Sequence, residues 1–304
     1  MEMLNVTIIG GGCAGLSAAI YCARANLAPL VFMGDMDSRN GMLAKTSIVE
    51  NYPGYPNGIL GPDLVDNLEK QALNCGARIL DQKVDKIIPI SNGFTIISES
   101  QEYHTRTIIL ATGSTPNKLL LPNEDRLWSN GISSCAVCDG ALYKGKKIVV
   151  VGGGDSAMEE SSYLTKYSNV TLIHRRGEFR ASQAMQKKVL ENPRITVIYN
   201  SVVTELVGSD CLESIKIKNI VSGEESILKV DGLFYGLGLT PNSSLVKDLL
   251  ELENGYVKRF GETATSIKGL FVAGDVGDPI YRQAIVAAGD GCKAALDVDK
   301  YLSH

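Results

Sequence analysis

"KIVVVGGGDSA" spans residues 147–157, and "NVTIIGGGCAG" spans residues 5–15. Both have one form: a β-branched run, then G-x-G-x-x-G or its alanine variant, then a helical pattern. The spacing predicts helices from Ala14 ("AGLSAAIYCARAN") and from Asp155 ("DSAMEESSYLTKYS"). Each is followed by a second strand, at 28–33 ("APLVFM") and 169–174 ("NVTLIH"). Each half therefore opens on a parallel strand–helix–strand unit. In such a unit the first glycine permits a tight turn, the second lets bare backbone approach a pyrophosphate, and the third lets helix and strand pack closely. The helix start adds free N–H groups and a dipole that favours the anion. Gly10, Gly12 and Gly15 fill these slots in the first half; Gly152, Gly154 and Ala157 fill them in the second. One match alone also describes an ordinary turn. Two, each between a strand and a helix, point to two nucleotide sites.

The halves also end alike. "IILATGSTPN" (108–117) matches "LFYGLGLTPN" (233–242), each a buried-type strand running into a Gly/Pro turn suited to a domain crossing. The fold class is α/β, with two doubly wound Rossmann-like nucleotide-binding domains. A third strand-and-turn signal, "GLFVAGDVG" (269–277), precedes a helical pattern at 281–302. This tail is too short for a third domain and is expected to pack back on one of the two.

Composition narrows the function. The chain has 304 residues, 44% hydrophobic and 21% charged, with net charge −4. No broad polyanion-binding surface is implied, so nucleic acid is not an expected partner. The opening "MEMLNVTIIGGGCAG", with its acid at Glu2, reads neither as a signal peptide nor as a membrane span, and the closing "DVDKYLSH" carries no lipidation motif. A cytoplasmic location and no membrane partner are the expectation. Five of the seven cysteines, Cys13, Cys22, Cys75, Cys211 and Cys292, are isolated and are expected to be small buried hydrophobes.

The end of the second strand in each unit discriminates between dinucleotides, because an acid there pairs with ribose hydroxyls and arginines accommodate a 2′-phosphate. The second half reads "IHRRGEFRA", with Arg175 and Arg176 directly after the strand and Arg180 in the next turn. A phosphate dianion suits fork-shaped donors, which favours NADPH over NADH. A solvated basic turn is the alternative. The first half has Met33 in that slot and Asp35 beyond it, with no arginine, which argues for a different nucleotide there.

"CAVCDG" places Cys135, Cys138 and Asp139 just ahead of the second glycine loop. Three readings are open: a zinc site, an inert buried pair, or a redox dithiol. Zinc needs about four ligands, and His104, His174 and His304 stand at no ligand spacing, so no metal is expected. A Cys-x-x-Cys pair can close a small disulfide ring and often has one acidic thiol. A carboxylate disfavours a nearby thiolate, but reduction of a disulfide creates thiolates that need a proton. Asp139 is then a candidate general acid–base. Two nucleotide sites and a dithiol suggest a circuit from NADPH to flavin to disulfide to an outside substrate. A dithiol oxidase or a non-turning flavoprotein sensor would use the same parts.

Taken together, "GGGCAG", "VENYPG" (49–54), "ATG" (111–113), "CAVCDG", "GGGDSA", "HRRGEFRA", "AGDV" (273–276) and "YRQAIVAAGDG" make the whole chain resemble low-molecular-weight thioredoxin reductase. The resemblance implies a discontinuous FAD domain, residues 1–117 and 244–304, with an NADPH domain, 118–243, inserted into it. It implies FAD contacts at Gly10, Gly12, Gly15, Asn51, Asp275, Arg282, Gln283 and Ala284. It implies NADPH contacts at Gly154, Asp155, Ser156, His174, Arg175, Arg176 and Arg180. Cys138 would face the flavin and Cys135 would exchange with thioredoxin, the protein substrate. The family is homodimeric, and its NADPH domain rotates. Three departures stand out: "NGML" (40–43) where the family has Gly-Gly-Gln-Leu, Cys13 where it has proline, and Ala141 and Leu142 where aromatics often follow the active pair.

Overall fold

The computed structural model describes residues 3–35, 39 and 41–304. Glu2, and Asn40 of the "NGML" segment, lie outside the described residues. The chain divides into two compact units, Met1–Thr115 with Thr240–His304, and Pro116–Leu239. It changes unit slightly ahead of the expected 117/118 and 243/244.

In the first unit a sheet runs in the order Arg78–Leu80, Leu30–Phe32, Met3–Ile9, Gln101–Leu110, Gly93–Ser98, Lys86–Ile90. The first four strands are parallel and the last two form an antiparallel extension. The ten-residue strand Gln101–Leu110 joins the two patterns, because its last residues also pair in parallel with Leu270–Val272. The tail thus packs back on this unit. Its helix Ala284–Leu302 lies against Cys13–Arg24, with Ser17 donating to the Ala288 carbonyl at 2.8 Å. A side chain at Gly291 would collide with the Ala14 carbonyl, so the close approach of these helices needs glycine there. Strand side chains feed two cores. Val6 and Ile8 join the helical side; Leu4, Phe32, Phe94 and Ile96 fill the other.

The second unit is a five-stranded parallel sheet in the order Ile132–Ser133, Gly232–Gly236, Ile148–Gly152, Val170–Ile173, Ile195–Ile198. The run of valines in "KIVVVG" is explained by burial on both faces. Val149 and Val151 face one core, Ile148 and Val150 the other. An antiparallel three-stranded sheet, Ser201–Val207, Ser214–Asn219 and Glu225–Lys229, completes the unit. The chain crosses between units through Ser114–Pro116 and Leu239–Pro241. On the first-unit side Asn242 donates to the Thr112 carbonyl (2.9 Å) and accepts from the Thr115 hydroxyl (2.9 Å). On the other side Asn117 donates to the Leu237 carbonyl at 3.1 Å.

Candidate active site

The first glycine loop has the shape a pyrophosphate requires. Gly10 has φ +122°, and a Cβ there would enter the Ala111 carbonyl. A Cβ on Gly15 would enter the Gly10 carbonyl, so this position is reserved for helix–strand packing. Gly12 differs: a Cβ there would meet nothing. It leaves bare backbone facing open space at the start of Cys13–Arg24, the cradle a phosphate group would fill.

Other expected flavin contacts gather in the same unit. The Asn51 amide donates to Gln283 Oε1 at 3.3 Å, and Gln283 directly precedes the helix that starts at Ala284. Arg282 sits before it with φ 45°. Asp275 accepts from the Ser114 hydroxyl at 3.1 Å; burial raises its carboxyl above the ordinary range despite that bond. Buried Cys13 faces this region, and burial with Asp275 nearby pushes its thiol up to about 12.

The second loop repeats the design. Gly152, at φ +155°, is packed on Gly236, where a Cβ would collide with the carbonyl. At Gly154 a Cβ would meet only Arg180 Nη2, at 3.7 Å. The open second glycine and an arginine beside it fit a phosphorylated nucleotide. Arg175, Arg176 and Arg180 are all exposed, while Phe179 between them is buried against His174 and Tyr199, with ring centroids 5.0 Å apart in each pair. A buried aromatic thus sits within a turn that carries three exposed arginines. Ser156 lies in the first turn of Asp155–Leu164. His174 and Asp155 are already engaged within the protein. The imidazole has a backbone carbonyl at each ring nitrogen, and Asp155 accepts from Ser182.

Cys135 and Cys138 are joined in a disulfide. Cys135 caps the one-turn helix Ala136–Asp139, its Sγ accepting from the Cys138 N–H at 3.2 Å. The helix brings Asp139 back toward Ser133, whose hydroxyl donates to Asp139 Oδ2 at 2.5 Å. Burial raises the Asp139 carboxyl, and the Ser133 bond opposes that in part. Ser133 and Glu160 were not anticipated. Ser133 stands two residues before the pair, within reach of a local side chain–backbone motif. Glu160, on the next helix, accepts from the Ala136 N–H at 2.5 Å, a contact no spacing in the sequence announces.

The isolated cysteines do not behave as one class. Cys13 and Cys22 are buried as expected, Cys75 and Cys292 are half-buried, and Cys211 is exposed. Cys211 follows "GSD" in the turn between two antiparallel strands, where burial is not available. Among the described residues no group of three or more His, Cys, Asp or Glu side chains is placed to hold a metal, and no helix is long and apolar enough to cross a membrane.

Comparison with known proteins agrees with this geometry. Residues 4–291 match the family model "Pyridine nucleotide-disulphide oxidoreductase". A thioredoxin reductase from Neurospora crassa is 45% identical, covering 99% of this chain and 94% of its own. The NADPH-dependent thioredoxin reductase 3 of Arabidopsis thaliana is 47% identical over 98% of this chain, which spans 58% of that protein's length. The solved thioredoxin reductase from Giardia duodenalis superposes with a TM-score of 0.94 at 41% identity, covering 100% of both chains. The chain therefore belongs to the pyridine nucleotide-disulphide oxidoreductases, and within them to the thioredoxin reductases.

Proposed function

We propose that this chain transfers an electron pair from NADPH through FAD and the Cys135–Cys138 disulfide to the disulfide of thioredoxin. Residues 1–117 and 244–304 would form the FAD domain and residues 118–243 the NADPH domain. The observation that carries the reading is the bonded cysteine pair with the Ser133–Asp139 carboxyl beside it. The open backbone at Gly12 and at Gly154 supports two nucleotides. Asn51, Asp275, Arg282, Gln283 and Ala284 would complete the FAD site. The three exposed arginines, with no acid in the ribose slot, favour the 2′-phosphorylated nucleotide.

Bound nicotinamide and flavin would supply the electron pair. The protein's own part starts at sulfur. Two electrons break the Cys135–Cys138 bond and leave two thiolates. Asp139, held toward its acid form by burial, protonates one of them. The Cys135 thiolate then attacks the thioredoxin disulfide, forming a mixed disulfide while one thioredoxin sulfur leaves and takes up a proton. Cys138, returning its proton to Asp139, attacks the Cys135 sulfur; the second thioredoxin sulfur leaves as a thiolate and takes up a proton from solvent, and the intramolecular disulfide reforms. A homodimer, implied by the resemblance, belongs to the same proposal and is checked by light scattering.

The test is NADPH-driven reduction of thioredoxin, followed anaerobically at the flavin band. Wild-type protein is expected to turn over. Cys135→Ser and Cys138→Ser are each expected to bleach with NADPH but reduce no thioredoxin. Sustained turnover by Cys138→Ser would overturn the reading.

A further inference from the structure

We propose that His174 and Asp155 are positioning residues for the nucleotide site: they latch the arginine turn, 175–182, onto the second glycine loop, and so set the preference for a 2′-phosphate. The proposal rests on the NADPH reading above and assigns these two residues a role other than nucleotide contact.

His174 bridges the two segments. Its Nδ1 lies 3.0 Å from the Gly152 carbonyl oxygen, in the glycine loop, and its Nε2 lies 2.9 Å from the Glu178 carbonyl oxygen, in the arginine turn. A neutral ring donates to one carbonyl at a time and an imidazolium to both. In either form both ring nitrogens face the protein, and the side chain is buried. A ligand outside finds no free nitrogen on it.

The same seam is closed by backbone. Arg180 and Ala181 both donate their N–H groups to the Gly153 carbonyl, at 2.9 and 3.2 Å. Gly153 is the middle residue of the loop, outside the three fingerprint slots, yet a Cβ there would run into the His174 ring. Glycine at 153 is therefore explained by the latch and not by the nucleotide. At the far end of the turn, Asp155 Oδ1 accepts from both the N–H and the hydroxyl of Ser182, each at 2.9 Å. These bonds hold Asp155 below the ordinary carboxylate range. The turn is pinned at Glu178 through the His174 ring, and at Arg180, Ala181 and Ser182 directly on the glycine loop or the helix that it opens.

The consequence is geometric. Guanidinium groups on exposed, flexible stems clamp a phosphate only if their backbone stands at a fixed distance from the loop that holds the rest of the nucleotide. Arg180 shows the coupling directly, since its N–H bonds the loop and its Nη2 lies beside Gly154.

The experiment measures binding of 2′,5′-ADP and of 5′-AMP by calorimetry to the protein as purified, together with the Michaelis constants for NADPH and NADH. The variants are His174→Ala, Asp155→Ala and Ser182→Ala, each alone and combined with Arg175→Ala/Arg176→Ala/Arg180→Ala. His174→Ala and Asp155→Ala are expected to weaken 2′,5′-ADP about tenfold, the scale of a lost latch bond. KM for NADPH should rise in parallel, and by more than KM for NADH. In the background lacking the three arginines, neither substitution should have a further effect. Wild-type affinity in both variants, or an equal loss with and without the arginines, would overturn the latch. If His174→Ala does not fold, Asp155→Ala and the exposed Ser182→Ala decide by the same criteria. A wild-type protein that binds 2′,5′-ADP no better than 5′-AMP would instead overturn the NADPH reading, and the latch with it.

Discussion

The Ser133 hydroxyl donates to Asp139 Oδ2 at 2.5 Å and accepts the Cys135 N–H at 3.0 Å. One oxygen therefore ties the candidate acid to the backbone of the redox pair. It also fixes the sign of a pH effect. Burial raises the Asp139 carboxyl, and the Ser133 bond, by stabilising the carboxylate, lowers it by less. The acid form is present below the folded value and is lost as pH rises through it. Ser133→Ala removes the lowering contribution, so the alkaline limb of kcat/KM for thioredoxin should move to higher pH. Asp139→Asn should cut the rate about 100-fold and abolish that limb. A pH profile of the three proteins checks this; a limb that survives in Asp139→Asn would assign it to another group.

Gly10 and Gly12 are two residues apart and fail differently. At Gly10, φ is +122° and a Cβ meets the Ala111 carbonyl, so Gly10→Ala should cost about 3 kcal/mol of stability. At Gly12 a Cβ meets nothing, so Gly12→Ala should leave apoprotein stability within about 0.5 kcal/mol while flavin content falls. Denaturant melts of apoprotein, paired with the ratio of flavin to protein absorbance, separate the two. Full flavin occupancy in Gly12→Ala would remove this loop from the site.

Local pattern sufficed where chemistry and sequence neighbourhood coincide. The two glycine loops, the strand–helix–strand units and Cys135–Cys138 are each encoded in a few consecutive residues. Partners brought in by the fold were not visible. Glu160 reaches the Ala136 N–H across 24 residues, and His174 reaches Gly152 across 22. The motif "HRRGEFRA" marks where a phosphate would bind, but not that its histidine is turned inward. As an isolated cysteine Cys211 is grouped with Cys22, although the "GSD" before it marks a turn; Cys22 is buried because its helix, Cys13–Arg24, packs into the first core.

Cys13 occupies the first turn of a helix that faces a nucleotide loop, a place where thiols are often reactive. Here burial, with Asp275 nearby as the lesser cause, pushes the thiol up to about 12, so the thiolate is scarce at neutral pH. With the disulfide intact, iodoacetamide at pH 7.5, about one unit below the pKa of an ordinary thiol, should label exposed Cys211 first and leave Cys13 unmodified. Peptide mapping by mass spectrometry reads the order directly. Labelling of Cys13 ahead of Cys211 would mean that its pocket opens.

Glu124 is buried and takes three donors: the Leu119 N–H at 2.9 Å, the Leu120 N–H at 3.1 Å and the Tyr235 hydroxyl at 2.6 Å. The carboxylate in turn, after burial itself, keeps the Tyr235 phenol well above its ordinary range. Glu124→Ala would strand two backbone N–H groups and a phenol, for a loss of about 3 kcal/mol; Tyr235→Phe removes one bond and should cost about 1 kcal/mol. Trp128, the single tryptophan of the chain, stands edge-on to Tyr235 with centroids 5.7 Å apart. Its fluorescence therefore reports unfolding of this unit from inside the network. In urea, the tryptophan midpoint should fall in the order wild type, Tyr235→Phe, Glu124→Ala, with flavin retention unchanged below the transition. A midpoint in Glu124→Ala equal to that of Tyr235→Phe would show that the two backbone donors find other partners, and that the phenol bond is the whole of what this carboxylate contributes.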